Sequence, residues 1–543
     1  MCFALAFVRF VPGEGTFQPM DSSFVTTNRA FWSAFAPKES DALLLVEEPS
    51  IPMIIQNNGI ACIILNQAKG YVPVWLTNTD QDLPLFQSYV PFTRTICRPH
   101  FSLMKRLWMA AQAAGHFLRI RFTRNILGFA HDGVHYGDIA YDAYLADQRA
   151  GTIRHIDFPL LKIFYACIRR HEETRALLHA GNFRAVLVSH GVDLRSGVML
   201  RTAIRYGREG YLRAGHHQMT LQRFLKQDDV YHYAYTPSPE DIETLLKKFG
   251  KEIDAEFEKE LNFQIAGKGS TDGMYAFNPN LKFYDQRDKF CADYGLDPSK
   301  KNIFVMLHAL NDYPHSHFKW MLFRDYYDWF EKTLEFAKLH PEVNWIFKQH
   351  PSIKFYPAKD VHFEELFVGA PKNVIYISPE KQINTRSLVS CADCVLTCLG
   401  SAGIELPAMG GIPAVVAADN FYFGLGFARE PRTQAQYFEM LAQLASITLL
   451  TTEQKHRARA AYLYIYRFAR APFSGVPILS FSDEKDPKMA EWYWKKVAAL
   501  SGEKAERILR EMRAYIDFVA QPAFANLPDL TFSLTSGIVT DVQ

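Results

Sequence analysis

Short apolar runs alternate with longer amphipathic stretches along most of this chain, and that alternation predicts parallel strands joined by helices. Residues 41–47, 72–77 and 184–189 read as buried strands, with a further strand at 125–130. Residues 51–68, 101–121, 158–180 and 196–206 read as helices, and 237–262 as a charged helical stretch. The run Ala266-Gly-Lys-Gly-Ser-Thr-Asp-Gly273 then breaks the pattern and reads as a linker. A second alternation follows, with strands at 302–307, 345–348, 374–377, 393–397 and 414–417. Helices at 286–294, 323–339, 402–409 and 434–444 lie between and after them, and 452–519 is largely helical.

The expected fold class is therefore α/β, with two doubly wound parallel-sheet domains of Rossmann type. Residues 1–270 and 271–450 form the two domains, and a helical segment at 451–543 packs back on them. A chain of 543 residues exceeds what one ordinary core holds, which agrees with that division.

Composition narrows the class. Sixty basic and 58 acidic side chains leave a net charge of +2, which argues against nucleic acid as the main partner. Eight cysteines in a chain this long make no disulfide framework. Cys394 and Cys398 sit in an apolar strand pattern without a second ligand pair at zinc spacing, so free thiols in a reducing cytoplasm are expected, with no metal and no cofactor. Residues 1–10 are apolar but too short, and lack the basic leader of a signal peptide. No run approaches the roughly twenty apolar residues of a membrane span, so the expectation is a cytoplasmic protein, at most peripheral to the inner face of the membrane.

Candidate chemistry gathers where strands end, the edge at which open α/β sheets bind ligands. Lys348 and His350 close a strand, and Pro351 stops it without an amide hydrogen. Gly400 and Ser401 lead a helix whose first amides suit an anion, with Ser401 expected as its cap. Glu405 lies one turn on, positioned for nucleoside hydroxyls or a base. Asn311 and Asp312 follow the first strand of the second half and suit either a sugar or a turn. In the first half, Asp132, Asp138, Asp142, His190 and Asp193 occupy polar loops, any of which offers a general base or nucleophile.

These pieces resemble the capsule and surface polysaccharide biosynthesis proteins of GT-B glycosyltransferase fold, the group that includes bacterial Kdo transferases. The matching segments are Asp132-Gly-Val-His-Tyr-Gly-Asp138 with Tyr141-Asp142, Ser189-His190, Asn311-Asp312, Trp345-Ile-Phe-Lys348 with His350-Pro351, and Gly400-Ser-Ala-Gly-Ile-Glu405. The resemblance implies a metal-independent transferase whose nucleotide-sugar donor binds the second domain and whose glycan or glycolipid acceptor binds the first. Lys348, His350, Pro351, Gly400, Ser401, Glu405, Asn311 and Asp312 would hold the donor, with Asp132, Asp138 or His190 catalytic. A CMP-activated sugar such as Kdo is the favoured donor. A polyol-phosphate transferase using a CDP-glycerol-type donor, a nucleotide-sugar epimerase and a non-catalytic glycan-binding or assembly protein remain alternatives.

Overall fold

The computed structural model describes residues 22–48, 52–77, 83–214, 220–232, 235–266, 277–317, 319–350, 353, 356–469 and 500–536. Fourteen strands run in chain order among them. They are β1 (Leu43–Val46), β2 (Val72–Thr77), β3 (Arg94–Cys97), β4 (Ala130–His131), β5 (Val134–His135), β6 (Phe183–Val188) and β7 (Glu209–Ala214). The rest are β8 (Thr220–Phe224), β9 (Asn302–Met306), β10 (Asn344–Lys348), β11 (Val374–Ile377), β12 (Cys394–Thr397), β13 (Ala414–Val416) and β14 (Asn526–Leu527).

The first sheet has the order β14-β8-β7-β6-β1-β2-β3, and the second β11-β10-β9-β12-β13. The second is parallel throughout, with Lys348 opposite Met306 on one side and Ile377 on the other. The first is parallel from β7 to β3, while β8 and β14 join antiparallel. Continuous Leu, Val and Trp runs make β2 buried at every position, as a strand covered on both faces requires.

Alternate residues of each strand feed two different cores. Trp75 and Leu187 pack with helix Pro52–Lys69, and Leu45 and Val186 with helix Ser196–Arg205. In the second sheet Trp345 and Phe347 face helix Tyr326–Leu339, while Ile346 and Phe304 face helix Arg287–Tyr294.

Three features depart from the expected elements. The strand expected at 125–130 is only the first arm of a two-residue hairpin, β4–β5, turned at Asp132 (φ 49°) and Gly133 (φ 73°). Asp-Gly is the pair that tolerates positive φ at both turn positions. Helices Pro239–Phe249 and Ile253–Ile265 bury Ile242, Leu245 and Phe257 against Ile404, Ala408 and Tyr462 beside the second sheet. The chain thus reaches the second unit ahead of the glycine-rich stretch, whose residues 267–276 lie outside the described ones. Finally, the C-terminal segment, expected to be helical and to pack back, does so through Met512 and Tyr515 of helix Gly502–Ala520 but adds a strand, β14, which pairs with β8.

Candidate functional site

In the second sheet the chain moves from β9 to β10 on one side and resumes at β12 on the other. A crevice between the carboxyl ends of β9 and β12 follows from that reversal, and it is where open α/β sheets take ligands. His308 stands there, two residues beyond β9. Its Nε2 accepts the amide hydrogens of Cys398 (3.2 Å) and Leu399 (3.4 Å) and lies 3.2 Å from Thr397 Oγ1. An imidazole accepting at Nε2 carries its hydrogen on Nδ1. Burial, then the neighbouring His350, hold its pKa down to about 3, so the ring is neutral. It stacks on Tyr326 at 4.3 Å and 11°. Sequence reasoning missed His308; the available signal was a histidine at a strand end, the same signal that marked His350.

The helix Ala402–Gly410 begins at this crevice. Ser401 was expected to cap it, yet Ser401 has helical backbone angles (φ −59°, ψ −21°) and its side chain makes no cap hydrogen bond. The amides of Gly403, Ile404 and Glu405 are taken by the carbonyls of Gly400 and Ser401. Those of Ser401 and Ala402 lead the helix, where an anion finds donors and a favourable dipole. The two glycines answer to packing. A Cβ on Gly403 would lie 2.0 Å from the Tyr422 hydroxyl, and one on Gly400 2.7 Å from Thr397 Oγ1. Tyr422 crosses there because its hydroxyl donates to the Gly400 carbonyl at 2.8 Å.

Lys348 is buried beneath this edge, its Nζ donating to Gln382 Oε1 at 2.7 Å. Burial lowers its pKa to about 8, against the pull of the Glu405 carboxylate. Glu405 itself accepts from the Tyr466 hydroxyl at 3.3 Å. His350 is exposed at the end of β10, close enough to act on His308, whereas Pro351 lies outside the described residues. Asn311 is buried with its Oδ1 unpartnered, and the adjacent Asp312 is exposed in the turn after β9. The second sheet thus gathers Lys348, His350, Asn311, Asp312, Gly400, Ser401 and Glu405 along one edge.

The first-half candidates scatter. Asp138 is buried in a bidentate pair with Arg201 (2.7 Å to each nitrogen) and also accepts from Tyr231 (2.8 Å). That engagement makes it an anchor for helix Gly137–Gln148 rather than a free base. Asp132 sits on the β4–β5 hairpin and accepts from the Tyr206 hydroxyl at 2.7 Å. Tyr206 ends helix Ser196–Arg205, about 15 Å of helix from the Ser196 end that follows the β6 loop. His190 meets the opposite sheet. It is exposed just past β6 and, after burial, is the group that lowers His317 of the second unit, to about 4.

Asp142, on helix Gly137–Gln148, also reaches across. It is fully buried and accepts from the Ser316 amide (2.7 Å), the Ser316 hydroxyl (2.6 Å) and the His315 amide (3.1 Å). Burial pushes its pKa up to about 8 against those three hydrogen bonds. Tyr141 and Thr152 both donate to Asp325, at 2.6 and 2.5 Å, and complete the seam between the units. Asp193 stays at the edge of the seam, its Oδ1 taking the amides of Arg195 and Ser196.

The architecture is GT-B-like, two Rossmann-type sheets meeting along their carboxyl edges. No protein-family model matches the chain, and no curated protein does either. Solved structures do resemble it. A kitacinnamycin glycotransferase is 11% identical over 89% of this chain and 96% of its own, with a TM-score of 0.22. A UDP-GlcNAc 2-epimerase from Neisseria meningitidis bound to UDP-GlcNAc is 12% identical over 87% and 99%, with a TM-score of 0.18. A wall teichoic acid polymerase is 8% identical over 90% and 95%, with a TM-score of 0.19. At these values the likenesses favour none of the three activities. No helix among the described residues is long and apolar enough to cross a membrane.

Proposed function

We propose that the protein is a glycosyltransferase that moves a sugar from a nucleotide donor to a glycan or glycolipid acceptor across the seam. The observation that carries this reading is the donor set at the β9–β12 crevice. The uncapped start of helix Ala402–Gly410 and the neutral His308 ring sit side by side, with Lys348 beneath. Amide hydrogens, an imidazole N–H and an ammonium meet the negative charge that grows on a departing phosphate, commonly the largest electrostatic contribution to catalysis. Glu405 and Asn311 offer acceptors for the nucleoside, and a CMP-activated sugar such as Kdo is the donor assigned. His190, on the facing edge, takes the acceptor hydroxyl's proton. The reaction belongs in the cytoplasm, with a glycolipid acceptor reached at the inner face of a membrane.

The test is incubation with donors labelled separately in the sugar and in the phosphate, with acceptor glycans. Transfer of sugar label without phosphate label is expected, and His308→Ala should lower turnover by about a hundredfold or more, the scale of one lost donor to a developing charge. Incorporation of phosphate label defines a polyol-phosphate transferase instead. Release of an epimerised sugar, or binding without turnover of any donor, likewise overturns the proposal.

A further inference from the structure

Asp132, one of the catalytic candidates read from the sequence, stands on the β4–β5 hairpin beside a cluster of buried histidines. His131 and His171 are 8% and 0% exposed, and the Nε2 atoms of both lack any hydrogen-bond partner. His131, His171 and Glu172 can each offer one ligand atom, and these atoms lie within 4.8 Å of one another. His131 Nε2 is 3.7 Å from Glu172 Oε1, and His171 Nε2 is 3.4 Å from Asp132 Oδ2.

Hydrogen-bond directions fix what the His171 nitrogen offers. The Thr202 hydroxyl donates to the Val198 carbonyl at 2.6 Å, so toward Tyr136, 2.8 Å away, it can only accept. The Tyr136 proton is thereby used, and at 2.9 Å Tyr136 must accept from His171 Nδ1–H. The lone pair of His171 is left on Nε2, pointing into a cluster that already holds two carboxylates. A buried imidazole lone pair facing carboxylate oxygens at this range is relieved by a cation between them.

We propose that His131, His171, Glu172 and Asp132 bind a divalent cation of the zinc type. Ligand atoms at 2.0–2.2 Å from a tetrahedral ion lie about 3.3–3.6 Å apart, so the pairs at 3.4 and 3.7 Å are close to that spacing and the rest of the His131–His171–Glu172 group, within 4.8 Å, needs a contraction of up to about 1.5 Å. The Tyr136–Thr202 chain is the outer support that orients a ligating imidazole, and Tyr206 holds Asp132 in the same way. Glu172 meets Lys105 (2.8 Å) and Arg175 (2.5 Å) with Oε2, leaving Oε1 for the ion. The ion would tie the β4–β5 hairpin to helix Phe158–His179. That hairpin launches helix Gly137–Gln148, which carries Tyr141 and Asp142 to the second unit, so the site sets the seam without touching the reacting atoms.

The test uses the full chain, measuring bound metal by elemental analysis after gel filtration and melting temperature before and after chelation. About one equivalent of metal is expected. Chelation should lower the melting temperature, zinc should restore it and magnesium should not. Cobalt substitution should give the visible absorption of a four-coordinate site. His171→Ala and Asp132→Asn should each weaken zinc binding at least about tenfold; Asp132 is 42% exposed, so its variant keeps the test valid if His171→Ala fails to fold. Less than a tenth of an equivalent after growth in zinc, with a melting temperature indifferent to both chelator and zinc, overturns the proposal and leaves a shared proton as the bridging cation.

Discussion

Gly403→Ala separates a packing role from a ligand role for the Gly400–Glu405 segment. The added Cβ would stand 2.0 Å from Tyr422 Oη and 2.7 Å from Cζ. Ordinary contact begins near 3.4 Å, so the tyrosine tip must withdraw by about 1.4 Å. Tyr422 is 1% exposed and cannot swing into solvent. Overpacking of this kind costs about 1–3 kcal/mol, and losing the hydrogen bond to the Gly400 carbonyl adds about 1 kcal/mol. Alanine's better helix propensity returns about 1 kcal/mol, for a net loss of about 1–3 kcal/mol. Tyr422→Phe alone should cost about 1 kcal/mol. In that background the nearest obstacle is Cζ, the required shift halves, and Gly403→Ala should become milder by at least about 1 kcal/mol. Urea unfolding of the four proteins in the cycle measures the coupling. Strictly additive effects would refute the packing account. A loss of nucleotide affinity equal in both backgrounds would show instead that Gly403 is needed for close approach of a phosphate.

Lys348 titrates near pH 8 when folded, below its ordinary 10.5, so it is charged below pH 8 and neutral above. Nucleotide affinity should therefore fall as pH rises through about 8, and Lys348→Met should flatten that part of the calorimetric profile. With no ligand the sign reverses: the folded state sheds this proton first, so the residue's contribution to stability improves from pH 8 to 10.5. Asp138→Ala leaves Arg201 charged and buried, and should cost about 3–5 kcal/mol in urea unfolding. Asp138→Leu combined with Arg201→Met should recover most of it, whereas a catalytic Asp138 would lose turnover with stability intact. Asp142→Ala removes the acceptor of three hydrogen bonds at the seam, worth about 0.5–1.5 kcal/mol each for the neutral carboxyl that burial favours below pH 8. Hydrogen exchange at Ser316 and His315 should rise steeply, and unchanged protection would place the holding force elsewhere.

How much of this was legible in the sequence depended on how far apart in the chain the deciding partners lie. Strands such as β2 and β11 were read to the residue because unbroken apolar runs flanked by turns leave little choice. β3 is mostly exposed, β7 mixes Glu209 and Arg213 with apolar positions, and β14 has two residues, so none announces itself. The second-sheet candidates could be found because a parallel strand delivers its last residues to one edge whatever surrounds it. The first-half carboxylates could not be ranked. Asp132, Asp138 and Asp142 share one short segment, yet a hairpin tip, a buried arginine and the loop at Ser316 claim them separately. Those partners stand 74, 63 and 174 positions away, beyond the reach of local pattern.

Each sheet reverses direction once, and the two reversal crevices carry opposite chemistry. In the first, at the ends of β1 and β6, Glu47 is 1% exposed and accepts the Ser189 amide at 2.5 Å along with the Ser196 hydroxyl. Asp193 takes the leading amides of helix Ser196–Arg205 at 2.6 and 2.7 Å. The donors that would greet a phosphate there are already spent on the protein's own carboxylates, and a second anion would meet repulsion. In the second, the corresponding position holds a neutral imidazole whose acceptor side is occupied and whose N–H remains, beside a helix start with no side-chain cap. Among the described residues, donors left open to an anion therefore lie at the second crevice. This asymmetry follows from a few side chains placed on two sheets of the same design.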